Sequence, residues 1–259
     1  MRVAAIYDIH ANLPALEAVL QDIRRAEVDR VVVGGDVLPG PMPRETMAYL
    51  LDLDIPTHFI MGNGDREVLA QMAGTETEWY RTAPERWREP VRWTAQQLHP
   101  EGATGVLAEA GRLLASWPPT LRLEIDGVGE VLFCHATPRN DTDIFTRLTS
   151  EDRLLPVFEG VQTPVVVCGH THMQFDRTIG TVRVVNAGSV GMPFQEPGAY
   201  WLLLGPDVQL RYTSYDLETA AKRIGETQYP QAQDFAARNV MQAPSEAVML
   251  EAFTPLQLK

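Results

Sequence analysis

The sequence predicts an α/β fold built on a parallel sheet. Three observations carry that reading. Strand and helix patterns alternate through residues 1–65, the strand-like runs are almost continuously apolar, and polar residues collect at their carboxyl ends. The chain has 259 residues, 45% of them hydrophobic, enough for a large core. We read 1–259 as a single domain.

The elements follow in order. Arg2 to Tyr7 is a short β-rich run. Leu13 to Arg25 has helical spacing, with Leu16, Val19, Leu20 and Ile23 on one face. Arg30 to Val33 (RVVV) reads as a strand buried on both faces. Pro43 to Leu51 reads as a helix and Thr57 to Met61 as a third strand, an order that calls for right-handed crossovers. Residues 66–116 read as a helical, cap-like insertion holding Trp79, Trp87 and Trp93, with Trp117 closing it. Leu121 to Ile125 and Glu130 to Cys134 read as a hairpin around Gly127. Pro164 to Cys168 and Thr181 to Val185 are further strands. Tyr200 to Leu204 and Val208 to Tyr212 flank a Gly205-Pro206-Asp207 turn, and Leu217 to Lys259 is mixed helix and loop.

The formal net charge of -12 argues against nucleic acid and anionic membranes as partners, unless bound cations reverse the field. Two cysteines, Cys134 and Cys168, build neither a disulfide framework nor a CxxC zinc site. The N-terminus lacks a signal pattern, and no apolar run approaches the roughly 20 residues that span a bilayer. The expectation is a soluble, cytoplasmic protein.

The strand ends carry the chemistry. They read Asp8-Ile9-His10, Gly34-Gly35-Asp36, Gly62-Asn63-Gly64-Asp65, His135, Gly169-His170-Thr171-His172 and Asn186-Ala187-Gly188-Ser189. Ligands of open α/β sheets bind beyond the carboxyl ends of strands. Four of the six histidines fall there. Imidazole, carboxylate and amide without thiolate suit Mn, Fe, Zn, Ni or Co. The donors outnumber the needs of one ion and match two, about 3.5–4 Å apart, sharing a carboxylate. Strand alternation would place Asp8 and His10 on one side. Taken singly, each motif has an ordinary reading as a turn or cap; the ordered set does not.

That order (DxH, GD, GN, H, GHxH) resembles the calcineurin-like metallophosphoesterase superfamily, and within it the small bacterial phosphoesterases. The resemblance covers Arg2 to about Tyr215. It implies a four-layer α/β/β/α sandwich with a dinuclear metal site. It implies one ion on Asp8, His10, Asp36 and His172, and a second on Asp36, Asn63, His135 and His170. It also implies a metal-bridging hydroxide attacking phosphorus in line, with Asp36, Asn63 and His135 at the catalytic centre.

Three departures stand out. Relatives often carry GNH, whose histidine aids the leaving oxygen; here the position is Gly64. General-acid help is typically worth about 10²–10⁴-fold, so good leaving groups are expected. The loop Asp36-Val37-Leu38-Pro39-Gly40 is one residue shorter than is common, and Ala136 replaces a frequent glycine. Asp65 is placed to cap the next helix or to give a proton. Asn12 is placed to cap the first helix or to hold a phosphate oxygen. Arg139 is placed to clamp phosphate or to pair with Asp141 or Asp143. His58 and His99 lie outside the pattern. The insertion reads as an amphipathic cap with aromatics inward and arginines solvated; the sharper alternative is a lid that stacks a base or aryl group.

The expected function is a metal-dependent phosphoester hydrolase, phosphodiesterase or phosphatase, acting on a small phosphorylated molecule. A nuclease and a non-enzymatic binding scaffold of the same fold are the alternatives.

Overall fold

A computed structural model describes residues 1–98 and 109–258. The strands are β1 (Val3–Ile6), β2 (Arg30–Val33), β3 (Thr57–Phe59), β4 (Thr120–Ile125), β5 (Gly129–Cys134), β6 (Val165–Cys168), β7 (Phe175–Ile179), β8 (Val182–Asn186), β9 (Ala199–Leu204) and β10 (Val208–Thr213). They form two five-stranded sheets, ordered β10-β9-β1-β2-β3 and β4-β5-β6-β8-β7. β1, β2 and β3 run parallel, as the alternation predicts, and β9 and β10 return antiparallel. β4 and β5 form the expected hairpin. β7, whose sequence FDRTI alternates weakly, escapes the sequence reading.

Period-two alternation divides each strand between two cores. Val3, Ala5, Tyr7 and Val32 of the first sheet meet Val131, Phe133, Val165, Val167 and Val185 of the second. The opposite faces carry helices. Ala4, Ile6, Val31 and Val33 pack with α1 (Leu13–Arg25), through Leu16, Val19, Leu20 and Ile23, and with α2 (Pro43–Leu51), through Met47 and Leu50. Leu132, Cys134, Val166 and Val184 pack with Leu154, Val157 and Phe158 of α7 (Glu151–Phe158). The layers are therefore α/β/β/α. Cys134 and Cys168 are buried thiols in this outer core.

α3 spans Asn63–Met72 and starts three residues ahead of the helical pattern that begins at Arg66. α4 (Glu78–Thr82), α5 (Glu85–Leu98) and α6 (Ala110–Ala115) follow. Val91, Ala95, Leu98 and Leu114 join the same core as α1 and α2. The expectation of inward aromatics holds for Tyr80 but fails for Trp79 and Trp87, which are 43% and 52% exposed. Trp93 packs edge-on against Tyr229, 5.4 Å between centroids. His58 sits on β3 beside Arg30, and His99 lies outside the described residues. Beyond β10 come α8 (Leu217–Gly225), α9 (Ala232–Phe235), a π-helical turn over Ala236–Met241 and α10 (Glu246–Phe253). No helix among the described residues is long and apolar enough to cross a membrane.

Candidate metal centre

The strand ends converge as their sequence order predicts, though not by strand alternation. β1 stops at Ile6, and Asp8 and His10 lie beyond it with φ of 53° and 47°. Asp36, His170 and His172 are also left-handed, at 49°, 66° and 58°. Such backbone is unfavourable for side-chain-bearing residues and clusters at functional sites. Here it is fixed by neighbouring loops. Asp8 N, His10 N and Ala11 N donate to Gly35 O, Asp36 O and Val37 O at 3.1, 3.0 and 2.8 Å.

The side chains gather into two groups, Asp8–His10–His172 and Asp36–His135–His170, each with its donor atoms within 4.8 Å of one another. Each aspartate is half-committed. Asp8 Oδ2 accepts from His170 N at 2.8 Å, and Asp36 Oδ1 accepts from Gly64 N at 2.7 Å. Asp8 Oδ1 is buried with no hydrogen-bond partner, 3.3 Å from His172 Nε2. Asp36 lies between the groups, with Oδ1 3.5 Å from His135 Nε2 and Oδ2 3.9 Å from His10 Nε2.

The histidines are aimed from behind. Nδ1 of His10, His135 and His172 faces the carbonyls of Pro39, Gly34 and Met192 at 3.3, 3.0 and 2.7 Å. A proton on Nδ1 leaves Nε2 as a lone pair directed inward, as in metal-binding imidazoles. His10 Nε2 and His172 Nε2 then face each other at 3.3 Å. Asn63 Oδ1 sits 3.1 Å from His135 Nε2. With its amide turned over, Asn63 places its NH₂ on His135 Nε2 and His170 Nδ1, at 3.1 and 2.9 Å. An orphaned carboxylate oxygen and opposed lone pairs are what cations resolve, and the nitrogen–oxygen donor set fits divalent transition metals.

The protonation balance agrees for two of the four imidazoles, His10 and His170. Burial pushes the imidazoles of His10 and His170 down to about 3, so both stay neutral. Burial pushes the Asp36 carboxyl up to about 6, against the pull of His135. Burial opposes charge on His135 and His172, but the facing carboxylates prevail and both are raised.

The remaining sequence candidates all have protein partners. Asn12 is fully buried; its Oδ1 caps α1 at Ala15 N, 3.3 Å, and its Nδ2 donates to Gly191 O, 2.9 Å. Arg139 forms a two-point pair with Asp143. Asp65 is not the residue before α3 but its third: it accepts from Gly62 N at 3.2 Å and from Leu38 N at 3.0 Å. It thereby ties the loop after Asp36 to the start of α3. Burial, then the Asp36 charge, pushes its carboxyl well up.

The same loop crowds Gly64. A Cβ on Gly64 would lie 2.4 Å from Leu38 O and 3.0 Å from Pro39 Cδ. The loop after Asp36 occupies the space that a side chain at position 64 would need. Sequence reading places Asn186-Ala187-Gly188-Ser189 at the rim without giving it a role; in the structure it is a supporting loop. Ser189 Oγ donates to Asp8 O at 2.7 Å, Asn186 Nδ2 donates to Gly169 O at 2.6 Å, and Met192 supplies the carbonyl behind His172. The strand-end sequence Asn186-Ala187-Gly188-Ser189 was its only signal.

Both the sandwich and the gathered ligands define a metal-dependent phosphoesterase scaffold. Residues 1–205 match the calcineurin-like phosphoesterase superfamily domain, and the chain belongs to that family. The chain is 25% identical to an uncharacterized protein of Methanocaldococcus jannaschii over 249 residues, 88% of this chain and 94% of that protein. A crystal structure of a metallophosphoesterase from Sphaerobacter thermophilus superposes with a TM-score of 0.67 at 26% identity, covering 93% of this chain and 100% of that one. A hypothetical protein from Pyrococcus horikoshii shares the fold with a TM-score of 0.74 at 20% identity, over 91% and 97% of the two chains.

Proposed function

We propose that the protein is a dinuclear-metal-dependent phosphoester hydrolase acting on a small phosphorylated molecule. The observation that carries this reading is Asp36, one carboxylate lying between two groups whose imidazole lone pairs face inward. Asp8, His10, Asp36 and His172 would hold one ion, and Asp36, Asn63, His135 and His170 the other. Bound there, two divalent cations supply Lewis acidity and a nucleophile at neutral pH.

The chain's own contribution is to hold and orient. The carbonyls of Pro39, Gly34 and Met192 keep the Nδ1 protons in place and the Nε2 lone pairs inward. The backbone N–H groups of His170 and Gly64 each fix one aspartate oxygen. No side chain at position 64 reaches the leaving oxygen, and both oxygens of Asp65 are occupied by backbone donors. The leaving group must therefore depart largely unprotonated by these residues. Rates should fall steeply as leaving-group pKa rises, which favours aryl phosphates, phosphodiesters or anhydrides.

Metal analysis of purified protein after Mn²⁺ supplementation, with hydrolysis of bis(p-nitrophenyl) phosphate, tests the reading. Two ions per chain and turnover are expected. Protein that takes up no metal and stays inactive would sink it. Equal rates on alkyl and aryl esters would refute the leaving-group dependence alone.

A further inference from the structure

We propose that the cavity beside the second cation group is a ring-binding subsite, selecting phosphoesters with a planar, uncharged aromatic substituent. This inference rests on the hydrolase reading above. The cavity measures about 480 Å³, within the range of about 300–1,000 Å³ for small-molecule sites. His135 lines it, so a phosphoryl group at the cations would direct a substituent into it. Met61, Trp117, Pro119 and Pro138 give it apolar walls.

Trp117 is held rigidly. It stacks on Phe59 with centroids 4.9 Å apart and planes 10° from parallel, and it is 6% exposed. A fixed aromatic wall offers contact area at low cost in conformational entropy.

Charge narrows the class. Arg66 and Arg139 stand at the rim, but Arg66 holds Asp141 at 2.8 and 3.2 Å and Arg139 holds Asp143. The guanidinium groups are already neutralised, so a second anionic group gains little there while a flat neutral ring can lie against them. The exposed Trp79 and Trp87 have no such enclosure. The insertion acts on substrate through its two ends, Arg66 and Trp117, rather than through those tryptophans.

The test is calorimetric titration of the Mn²⁺-loaded protein with methylphosphonate, phenylphosphonate and a nucleoside phosphonate, none of which has a cleavable ester. At least one ring-bearing probe should bind about tenfold tighter than methylphosphonate, roughly 1.4 kcal/mol. The tighter of the two ring probes says whether an aryl group or a nucleobase fits. Thr120 also lines the cavity, and Thr120→Arg, crowding it, should bring the ratio below about threefold with Mn²⁺ content unchanged. Trp117→Phe keeps an aromatic ring against Phe59 but removes the second ring of the indole wall, and should lower the ratio while the fold persists. Equal binding of alkyl and ring probes, or a ratio unmoved by both variants, would overturn the subsite alone. Loss of all phosphonate binding together with absent ester turnover would overturn the hydrolase reading instead.

Discussion

The two cation groups use the same residue types and differ in their surroundings. Asp8, His10 and His172 are all buried and backed by aromatic rings. His172 stacks on Phe194 at 4.7 Å, Phe194 meets Phe253 at 6.0 Å, and both imidazoles are anchored from behind by carbonyls. In the second group His170 is only partly buried, and His135 meets the amide of Asn63 and lines the cavity beside Trp117. A closed donor set retains a cation, and a set open on one side leaves room for substrate. Under the proposed function, the first group would anchor a cation, the second would meet substrate, and Asp36 would couple them.

Asp36→Asn should have the largest effect, because both groups lose the shared carboxylate. Turnover should fall by about 10³-fold or more, with both ions depleted on metal analysis. Activity within tenfold of wild type would break the coupling. Single ligand removals come next and separate the groups. His172→Ala should lower metal content more than turnover per bound metal. His135→Ala should cost about 10²-fold in turnover even at saturating Mn²⁺. Identical losses in the two variants would erase the distinction between anchor and substrate side.

Acid should act through the shared residue. Burial raises Asp36 to about 6, so below that pH a cation must displace its proton. Mn²⁺ affinity should therefore fall as pH drops below about 6, by roughly tenfold per unit, with proton release measurable during titration. Affinity unchanged between pH 7.5 and 5 would contradict that direction. The smallest effect concerns Gly64. Gly64→Ala would push a methyl against Leu38 O and should destabilise the fold by about 1–3 kcal/mol in denaturant melts. A neutral substitution would show that the loop after Asp36 moves freely.

Much of this was legible in the sequence. Leu13–Arg25, Arg30–Val33 and Pro43–Leu51 match their elements residue for residue, because their periodicity and flanking signals are strong. The start of α3 was misplaced because Gly62, Asn63 and Gly64 read as a turn. There the helix is held by Asp65 bonding back to Gly62 N, reinforced by a bond to Leu38, 27 residues away in the chain. β7 was missed because its neighbour in the sheet, not its own pattern, makes it a strand. Asn12 and Arg139 each allowed two readings, and only the positions of Gly191 O and Asp143 show which contacts they make.

By itself the sequence determined which residue types stand at which strand ends, and hence the chemistry of the donor set, since strand order and residue identity are local properties. Tertiary structure alone decided how those donors are aimed. The left-handed backbone at Asp8, His10, Asp36, His170 and His172, the carbonyls behind the imidazoles and the filled space at Gly64 all arise from contacts between distant loops. No local pattern encodes them, because each depends on where another loop comes to rest.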